Sequence, residues 1–269
     1  MSFDIQYYNI GFLDQLSYKS TFVHRLDPRV KLCVTLLFLL TVISFSKYEI
    51  FALLPFFLFP VLLMTLGEIP FMFIFKKVLL VSPFAVFIGI FNPLLDSGQI
   101  SIVNGYTISA GWLSFISILL KFTLTVSTAL LLVATTSFPG VCHALRQLGL
   151  PSIFVSQLFF LYRYIFVLME ETVRIVRARN MRSFGDRGKG IKIFVRIAGT
   201  LFLRTVQRAE RVYNAMLSRG FQGDMPALKH FQFKTGDMIF AATVAAFLLI
   251  FRFCPATEIL GRFAQGVFS

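Results

Sequence analysis

The chain has 269 residues, of which 57% are hydrophobic and only 14% are charged, and its mean hydropathy is +0.76. A soluble globular domain carries about 25% charged residues, so this composition excludes that class and indicates an integral membrane protein. The formal net charge is +13, which favours a large basic region on one side of a membrane.

The first thirty residues are polar and irregular, and no charged segment followed by a short apolar run and a cleavage site begins the chain. We therefore expect no removable signal peptide. Within this segment, Leu26, Asp27, Pro28 and Arg29 form the motif "LDPR", which is typical of a turn. We interpret the motif as an anchor at the cytoplasmic end of the first membrane helix.

Five apolar runs are long enough, or nearly so, to cross a hydrocarbon core of roughly 30 Å. They lie at 31–46, 50–66, 78–95, 112–138 and 237–253. The segment from Ile69 to Lys77 is too brief to cross and ends in two lysines, so we expect it in the membrane interface. Lys121 lies well inside a predicted span, where it either contacts a partner subunit or extends toward the outer interface.

The run at 151–169 is also apolar, but its surroundings argue against a sixth span. Residues 139–236 hold 16 basic and five acidic residues, a net charge of +11, and the loop from Asn92 to Gly111 holds no basic residue. A span at 151–169 would export 14 of the basic residues, against the positive-inside tendency. It would also place Arg163 near the bilayer centre, where inserting a charged side chain costs about 2.5 kcal/mol or more. We therefore predict that the N-terminus and 139–236 are cytoplasmic and that the C-terminus lies outside.

Helical spacing predicts a short helix from Gly140 to Leu148 and then two long ones, which close near Arg179 and Arg219. Each long helix should measure roughly 40 to 45 Å. The predicted fold is an all-α integral membrane protein with about five transmembrane helices and a cytoplasmic region of two long helices and a short one. Its segments are an N-terminal part with four spans (1–138), the cytoplasmic region (139–236), and the last span with the tail (237–269).

Several kinds of site are absent from the sequence. No disulfide or metal spacing relates the three cysteines and three histidines, which are Cys33, Cys142, Cys254, His24, His143 and His230. The glycines and lysine of Gly185 to Gly190 do not have phosphate-loop spacing, and no acid/base or nucleophile constellation appears. The basic region lacks a base-stacking pattern for nucleic acid and suits anionic lipid headgroups. We expect no catalysis, no bound metal and no cofactor in this chain.

Four stretches carry a resemblance to a known family. They are "HRLDPRVKL" (His24 to Leu32), "LRQLGLP" (Leu145 to Pro151), "LMEETVRIVRARN" (Leu168 to Asn180) and "RAERVYNAMLSRGFQG" (Arg208 to Gly223). Over nearly its whole length the chain resembles the transmembrane T component of energy-coupling factor (ECF) transporters, and within it the cobalt-type branch called CbiQ. The resemblance implies a multi-pass protein of the inner (plasma) membrane and a non-catalytic coupling subunit.

The resemblance implies two docking motifs, because the family ends each of two long coupling helices with an Ala-Arg-Gly-like sequence. Here the motifs are Ala178-Arg179-Asn180 and Ser218-Arg219-Gly220, which depart by Asn for Gly and Ser for Ala. Asparagine still tolerates the left-handed conformation of a helix C-cap. Each arginine would dock on one of two cytoplasmic ABC ATPases that hold ATP and Mg. From spacing alone, the favoured interpretation is that the two arginines complement the helix dipole.

The resemblance also implies a substrate-binding S component of the cobalt type, which a small accessory membrane subunit can accompany. Phe154, Leu158, Leu161 and Phe202 are expected to contact it or to pack between the two long helices. The run from Leu13 to Arg29 resembles the cobalt branch more than the vitamin-type T components. This resemblance implies cobalt, or else nickel, as cargo, in a role related to cobalamin biosynthesis, and a vitamin-type T component is the alternative. A stand-alone secondary transporter is less compatible, because the spans hold few charges and no clear inverted repeat.

Overall fold

The computed structural model describes residues 17, 19, 21–47, 49–95, 99–102, 106–182, 190–223 and 233–253. Most of them are helical. In chain order the helices are α1 (Phe22–Arg25), α2 (Pro28–Ser44), α3 (Ile50–Leu53), α4 (Leu58–Leu66), α5 (Phe71–Gly89), α6 (Phe91–Leu95), α7 (Ala110–Thr135), α8 (Phe138–Gln147), α9 (Ser152–Arg182), α10 (Ile191–Leu217) and α11 (Thr235–Phe253). The all-α class of membrane protein predicted from the sequence is confirmed.

Two smaller elements complete the description. A 3-10 turn, Leu54–Phe57, joins α3 to α4, because Pro55 sits where a regular helical hydrogen bond would otherwise form. Between α6 and α7, strands β1 (Gln99–Ile102) and β2 (Tyr106–Ser109) form an antiparallel pair in which Gln99 faces Ser109. The long basic-free loop of the sequence therefore contains a β-hairpin, which its composition did not reveal.

Four described helices are long and apolar enough to cross a membrane: Phe71–Pro93, Gly111–Thr135, Ser152–Arg182 and Thr235–Phe253. Three of them correspond to predicted spans. The run predicted at 31–46 forms the 17-residue α2. The run predicted at 50–66 forms an interrupted helix, in which the apolar stretch Leu54–Leu66 consists of the 3-10 turn and α4. Ser152–Arg182 qualifies by length and composition alone, so its predicted cytoplasmic location stays a prediction.

The expected interfacial segment before the third span is corrected by the structure. Ile69 and Pro70 precede α5, but Phe71 to Lys77 continue without a break into the apolar helix that ends at Gly89. Lys76 and Lys77 are thus residues of the first two turns of one long helix. A helix can carry lysines near its end because their aliphatic stems extend toward the polar boundary.

The described residues fall into two compact units, one of 138–182 with 190–223 and one of the described residues before 138 and after 232. The second unit has an aromatic core in which the rings of Phe38 and Phe59 stack 4.6 Å apart and Phe56 lies edge-on to Phe45 at 5.2 Å. Large apolar side chains of α5, such as Leu80 and Phe84, are exposed. Contiguous exposed apolar surface of this kind suits lipid contact.

Close helix contact in this unit depends on a small residue at the end of α5. A methyl group added at Gly89 would lie 2.8 Å from the ring of Phe115 in α7. Small residues let membrane helices approach closely and gain van der Waals contact. Gly89 therefore sets the spacing of α5 and α7.

Candidate functional site

The two long helices α9 and α10 run antiparallel, as two polar contacts show. The hydroxyl of Ser156, near the start of α9, donates to the carbonyl of Gly223, which follows α10, at 3.3 Å. Further along, Arg204 of α10 donates to Glu171 of α9 at 2.5 Å. Early residues of one helix thus face late residues of the other.

The motif Ser218-Arg219-Gly220 forms the C-terminal cap of α10. The amide of Phe221 donates to Met216 and the amide of Gly220 donates to Leu217, each at 3.0 Å. This pair of bonds is the Schellman arrangement, in which the residue after the cap adopts a left-handed conformation. Gly220 does so with φ of 79°, and a residue with a side chain would be strained there. The cap holds the backbone of the exposed Arg219 in a defined position.

The motif Ala178-Arg179-Asn180 has a different backbone setting. All three residues are helical, and α9 continues to Arg182. Asn180 has no positive φ, so the left-handed C-cap conformation that asparagine tolerates is not adopted here. Asparagine keeps ordinary helical φ unless other contacts force it out. Arg179 is half-buried in the last turn of α9, where a cation favours the negative end of the helix dipole.

The two arginine motifs lie at opposite ends of the antiparallel pair. Because Ser156 faces Gly223 and Glu171 faces Arg204, Arg219 lies roughly 20 residues along the α9 axis from Arg179. At 1.5 Å per residue this is a separation of roughly 30 Å. The arrangement offers two separate basic contact points on one pair of helices.

The four apolar residues singled out by the sequence lie on the same pair. Phe154, Leu161 and Phe202 are exposed, with more than 60% of each surface accessible, and Leu158 is half-buried. Three of these side chains are therefore not buried between α9 and α10. Between these helices, Glu171, Arg204, Arg208 and Arg211 border a basic groove with a cavity of about 270 Å³.

The turn motif Leu26-Asp27-Pro28-Arg29 starts α2. Asp27 is its N-cap, and its side chain accepts a hydrogen bond of 2.9 Å from the amide of Arg29. Pro28 occupies the first helical position, where its missing N–H is not needed. Leu26 and Asp27 are buried. The predicted turn is present, and it is a capped helix start.

Sequence reasoning missed the partner of this motif, because it comes from the far end of the chain. Oδ1 of Asp237, in the first turn of α11, accepts a hydrogen bond of 2.8 Å from the backbone amide of Asp27. Lys31, one turn after the motif, donates to the carbonyl of Thr135 at 2.9 Å. The sequence did show a charged residue at the edge of each apolar run. Sequence spacing, however, does not indicate contacts between residues as far apart as Asp27 and Asp237.

The remaining candidate residues behave as structural groups. Lys121 donates to the carbonyl of Phe45 at 2.6 Å, so its ammonium is used within the chain. Within the described residues, no group of three or more His, Cys, Asp and Glu side chains could hold a metal ion. Burial raises the pKa of the Cys142 thiol to about 11, and Cys33 is exposed. His230 and Cys254 lie outside the described residues.

Comparison with known proteins decides the family. Residues 19–230 match the profile of CbiQ, described as cobalt transport protein. The chain belongs to the CbiQ family. The matched range contains the LDPR motif, Lys31, both arginine motifs and the whole of α9 and α10, and it ends before Asp237.

Relatives of this CbiQ-family chain cover most of its length. It is 28% identical over 268 residues to an uncharacterised protein of Methanocaldococcus jannaschii, covering 92% of this chain and 89% of that one. It is 29% identical to the energy-coupling factor transporter transmembrane protein EcfT of Bacillus subtilis, covering 86% and 94% respectively. The EcfT protein of Staphylococcus aureus is 28% identical, with 80% and 85% covered. The chain is therefore a multi-pass membrane protein of a transport family.

Proposed function

We propose that this chain is the T component of an energy-coupling factor importer. In this role it hydrolyses no ATP; it transmits the closure of two cytoplasmic ABC ATPases, which bind ATP and Mg, to a substrate-binding membrane subunit. The observation that carries the proposal is the pair of arginine motifs, Ala178-Arg179-Asn180 and Ser218-Arg219-Gly220, at opposite ends of α9 and α10. Two separated contact points on one helix pair suit two copies of a partner.

The chemistry of arginine supports a docking role. Its guanidinium has five donors in a rigid fork and stays charged at cellular pH, which suits carboxylates and carbonyls on a partner. The Schellman cap restricts the backbone at Arg219, so less conformational entropy is lost when that side chain binds. The exposed Phe154, Leu161 and Phe202, with Leu158 beside them, are proposed to contact the substrate-binding subunit.

For the cargo we propose cobalt, or nickel, since the family description names cobalt transport. A vitamin-type T component is the alternative, because several relatives carry the EcfT name, which specifies no cargo. The two cargo alternatives can be separated in cells that express the whole complex. There, the uptake of radioactive cobalt is compared with the uptake of labelled vitamins. Accumulation of a vitamin without cobalt uptake would establish the alternative.

Arginine substitutions test the docking. We expect Arg179→Ala and Arg219→Ala each to weaken co-purification with the ATPases and the double change to abolish ATP-driven uptake. Arg196→Ala is the matched control, because Arg196 is an exposed arginine of α10 outside both motifs. If the double variant keeps full assembly and full uptake, the docking assignment is wrong.

The proposed orientation has the N-terminus, α8, α9 and α10 on the cytoplasmic side and the C-terminus outside. A single cysteine tests it at Gly199, an exposed position of α10 with open space around it, in a chain whose own cysteines are replaced by alanine. A membrane-impermeant maleimide should label this cysteine in inside-out vesicles and not in intact cells. Labelling in intact cells would instead make Ser152–Arg182 a span.

A further inference from the structure

The carboxylate of Asp237 is shared by the starts of two helices. Its Oδ1 accepts from the amide of Asp27, the N-cap of α2, and its Oδ2 accepts from the amide of Lys234, the residue before α11, each at 2.8 Å. Amides at a helix N-terminus lack partners within the helix, and a negative charge is stabilised there. Asp237 is 3% exposed, and its bond from the amide of Asp27 is buried, whereas its bond from the amide of the exposed Lys234 is partly buried.

Lys31 makes the complementary contacts to helix ends of the opposite polarity. Its ammonium donates to the carbonyl of Thr135, the last residue of α7, at 2.9 Å, and to the carbonyl of His24 in α1 at 3.3 Å. The last carbonyls of a helix lack internal partners and carry partial negative charge. Lys31 is 5% exposed.

These contacts lie where the chain leaves and re-enters one compact unit. The chain passes out of that unit after Ser137 and returns at Phe231. Thr135 is the last helical residue before the first passage, and Lys234 immediately precedes α11, the helix that follows the second. The start of α2 contacts both neighbouring helices. The amide of Asp27 bonds α11, and the ammonium of Lys31 bonds the end of α7. We call Asp27, Lys31, Thr135, Lys234 and Asp237 the helix-end clamp.

We propose that Lys31 and Asp237 are positioning residues for coupling, which hold the ends of α7 and α11 against α2. Helix ends open at low free-energy cost unless they are held. If the ends of α7 and α11 frayed, they would deform when residues 138–230 are displaced, and the displacement would not be transmitted. Ends held by the clamp transmit that displacement to the membrane helices. The clamp stands on its own geometry, and its part in coupling rests on the proposed function.

Hydrogen exchange on the purified full chain tests the clamp directly. Asp237→Asn keeps the shape but leaves one of the two amides without its acceptor, so exchange of the Asp27 or Lys234 amide should accelerate about five- to tenfold. Lys31→Met removes both donations to carbonyls, and peptides covering residues 132–137 should exchange faster. The matched control is Lys121→Met, whose lysine bonds Phe45 outside the clamp and should leave the clamp amides unchanged.

Two results would overturn the clamp. Unchanged exchange at Asp27 and Lys234 in Asp237→Asn would mean that the shared carboxylate does not hold these ends. Equal acceleration throughout α5 would mean that the variants loosen the whole unit. Lys31→Met affects the end of α7, whereas Asp237→Asn affects the starts of α2 and α11. Either variant alone therefore tests the clamp if the other does not accumulate in the membrane.

Transport by the assembled complex tests the coupling role. In proteoliposomes with both ATPases and the substrate-binding subunit, cobalt taken up per ATP hydrolysed should fall at least about fivefold in Asp237→Asn, and ATPase co-purification should persist. Lys121→Met should keep the wild-type ratio. A normal ratio together with faster exchange would overturn the positioning role. A wild-type chain that binds no ATPase would overturn the proposed function and the coupling role with it, while the exchange experiment still decides the clamp.

Discussion

The backbone amide of Asp27 donates a hydrogen bond of 2.8 Å to Asp237, which lies 210 residues later in the chain. The side chain of Asp27 meanwhile accepts from the amide of Arg29 within its own helix. Asp27 therefore caps α2 through its carboxylate and binds α11 through its backbone. The LDPR motif is a junction of two helices, which is a more specific role than a turn at the membrane boundary.

Removal of the Asp237 carboxylate should destabilise the chain. Asp237→Ala leaves the buried amide of Asp27 and the partly buried amide of Lys234 without their acceptor, and hydrogen bonds to a charged group each contribute about 1.5 to 3 kcal/mol. We expect a clear drop in the unfolding temperature of the detergent-purified protein, measured by tryptophan fluorescence or light scattering. Glu170→Ala, at an exposed acidic residue of α9, should change the free energy of unfolding by no more than about 0.5 kcal/mol. Equal effects would argue against the junction.

Gly199, within α10, and Gly220, in the C-terminal cap of α10, should respond in opposite directions to the same substitution. Gly220→Ala forces a side chain into the left-handed region at φ of 79° and should cost about 1 kcal/mol or more. Gly199→Ala lies inside α10 with open space around it and should gain about 0.5 to 1 kcal/mol. Thermal unfolding measures both changes, and ATPase co-purification should weaken only for Gly220→Ala. A stable, fully binding Gly220→Ala chain would show that the cap does not position Arg219.

The ion pair between Glu171 and Arg204 should contribute little to stability but should report the pairing of α9 with α10. Arg204 is largely exposed, so a double-mutant cycle with Glu171→Gln and Arg204→Gln should give a coupling energy of about 0.2 to 1 kcal/mol. The coupling should shrink in high salt because exposed charges are screened. A zero coupling energy at low salt would indicate that this ion pair does not stabilise the pairing of the two helices.

Cys142 should resist alkylation in the folded chain. The thiolate is the reactive form, and burial raises the pKa of this thiol to about 11, so at pH 8 about one molecule in a thousand carries the thiolate. Raising the pH toward 11 increases that fraction. Maleimide labelling at pH 8, followed by peptide mass spectrometry, should modify Cys142 only after unfolding. A cysteine introduced at Gly199 should label at once, and rapid native labelling of Cys142 would contradict the burial.

Periodicity and charge predicted much of the architecture from local information. The apolar repeat indicated α9 and α10, and the short helix predicted from Gly140 to Leu148 corresponds to α8. Gly149, which follows α8, has a φ of 100° that allows the turn toward α9. The predicted start of the third span was wrong because Lys76 and Lys77 interrupt the apolar pattern without interrupting the helical hydrogen bonding of α5. The helical conformation of Asn180 could not be derived from the motif, because a motif resemblance carries no information on backbone φ.

Composition, helical period and charge are local properties, so they suffice to predict a helical membrane protein with a concentrated basic region and two arginine motifs. The positions of Arg179 and Arg219 at opposite ends of an antiparallel pair emerge only from the folded chain. So do the hydrogen bonds from Asp27 to Asp237 and from Lys31 to Thr135. Those contacts connect positions more than 100 residues apart, and they form because buried helix ends must find partners for their unpaired amides and carbonyls.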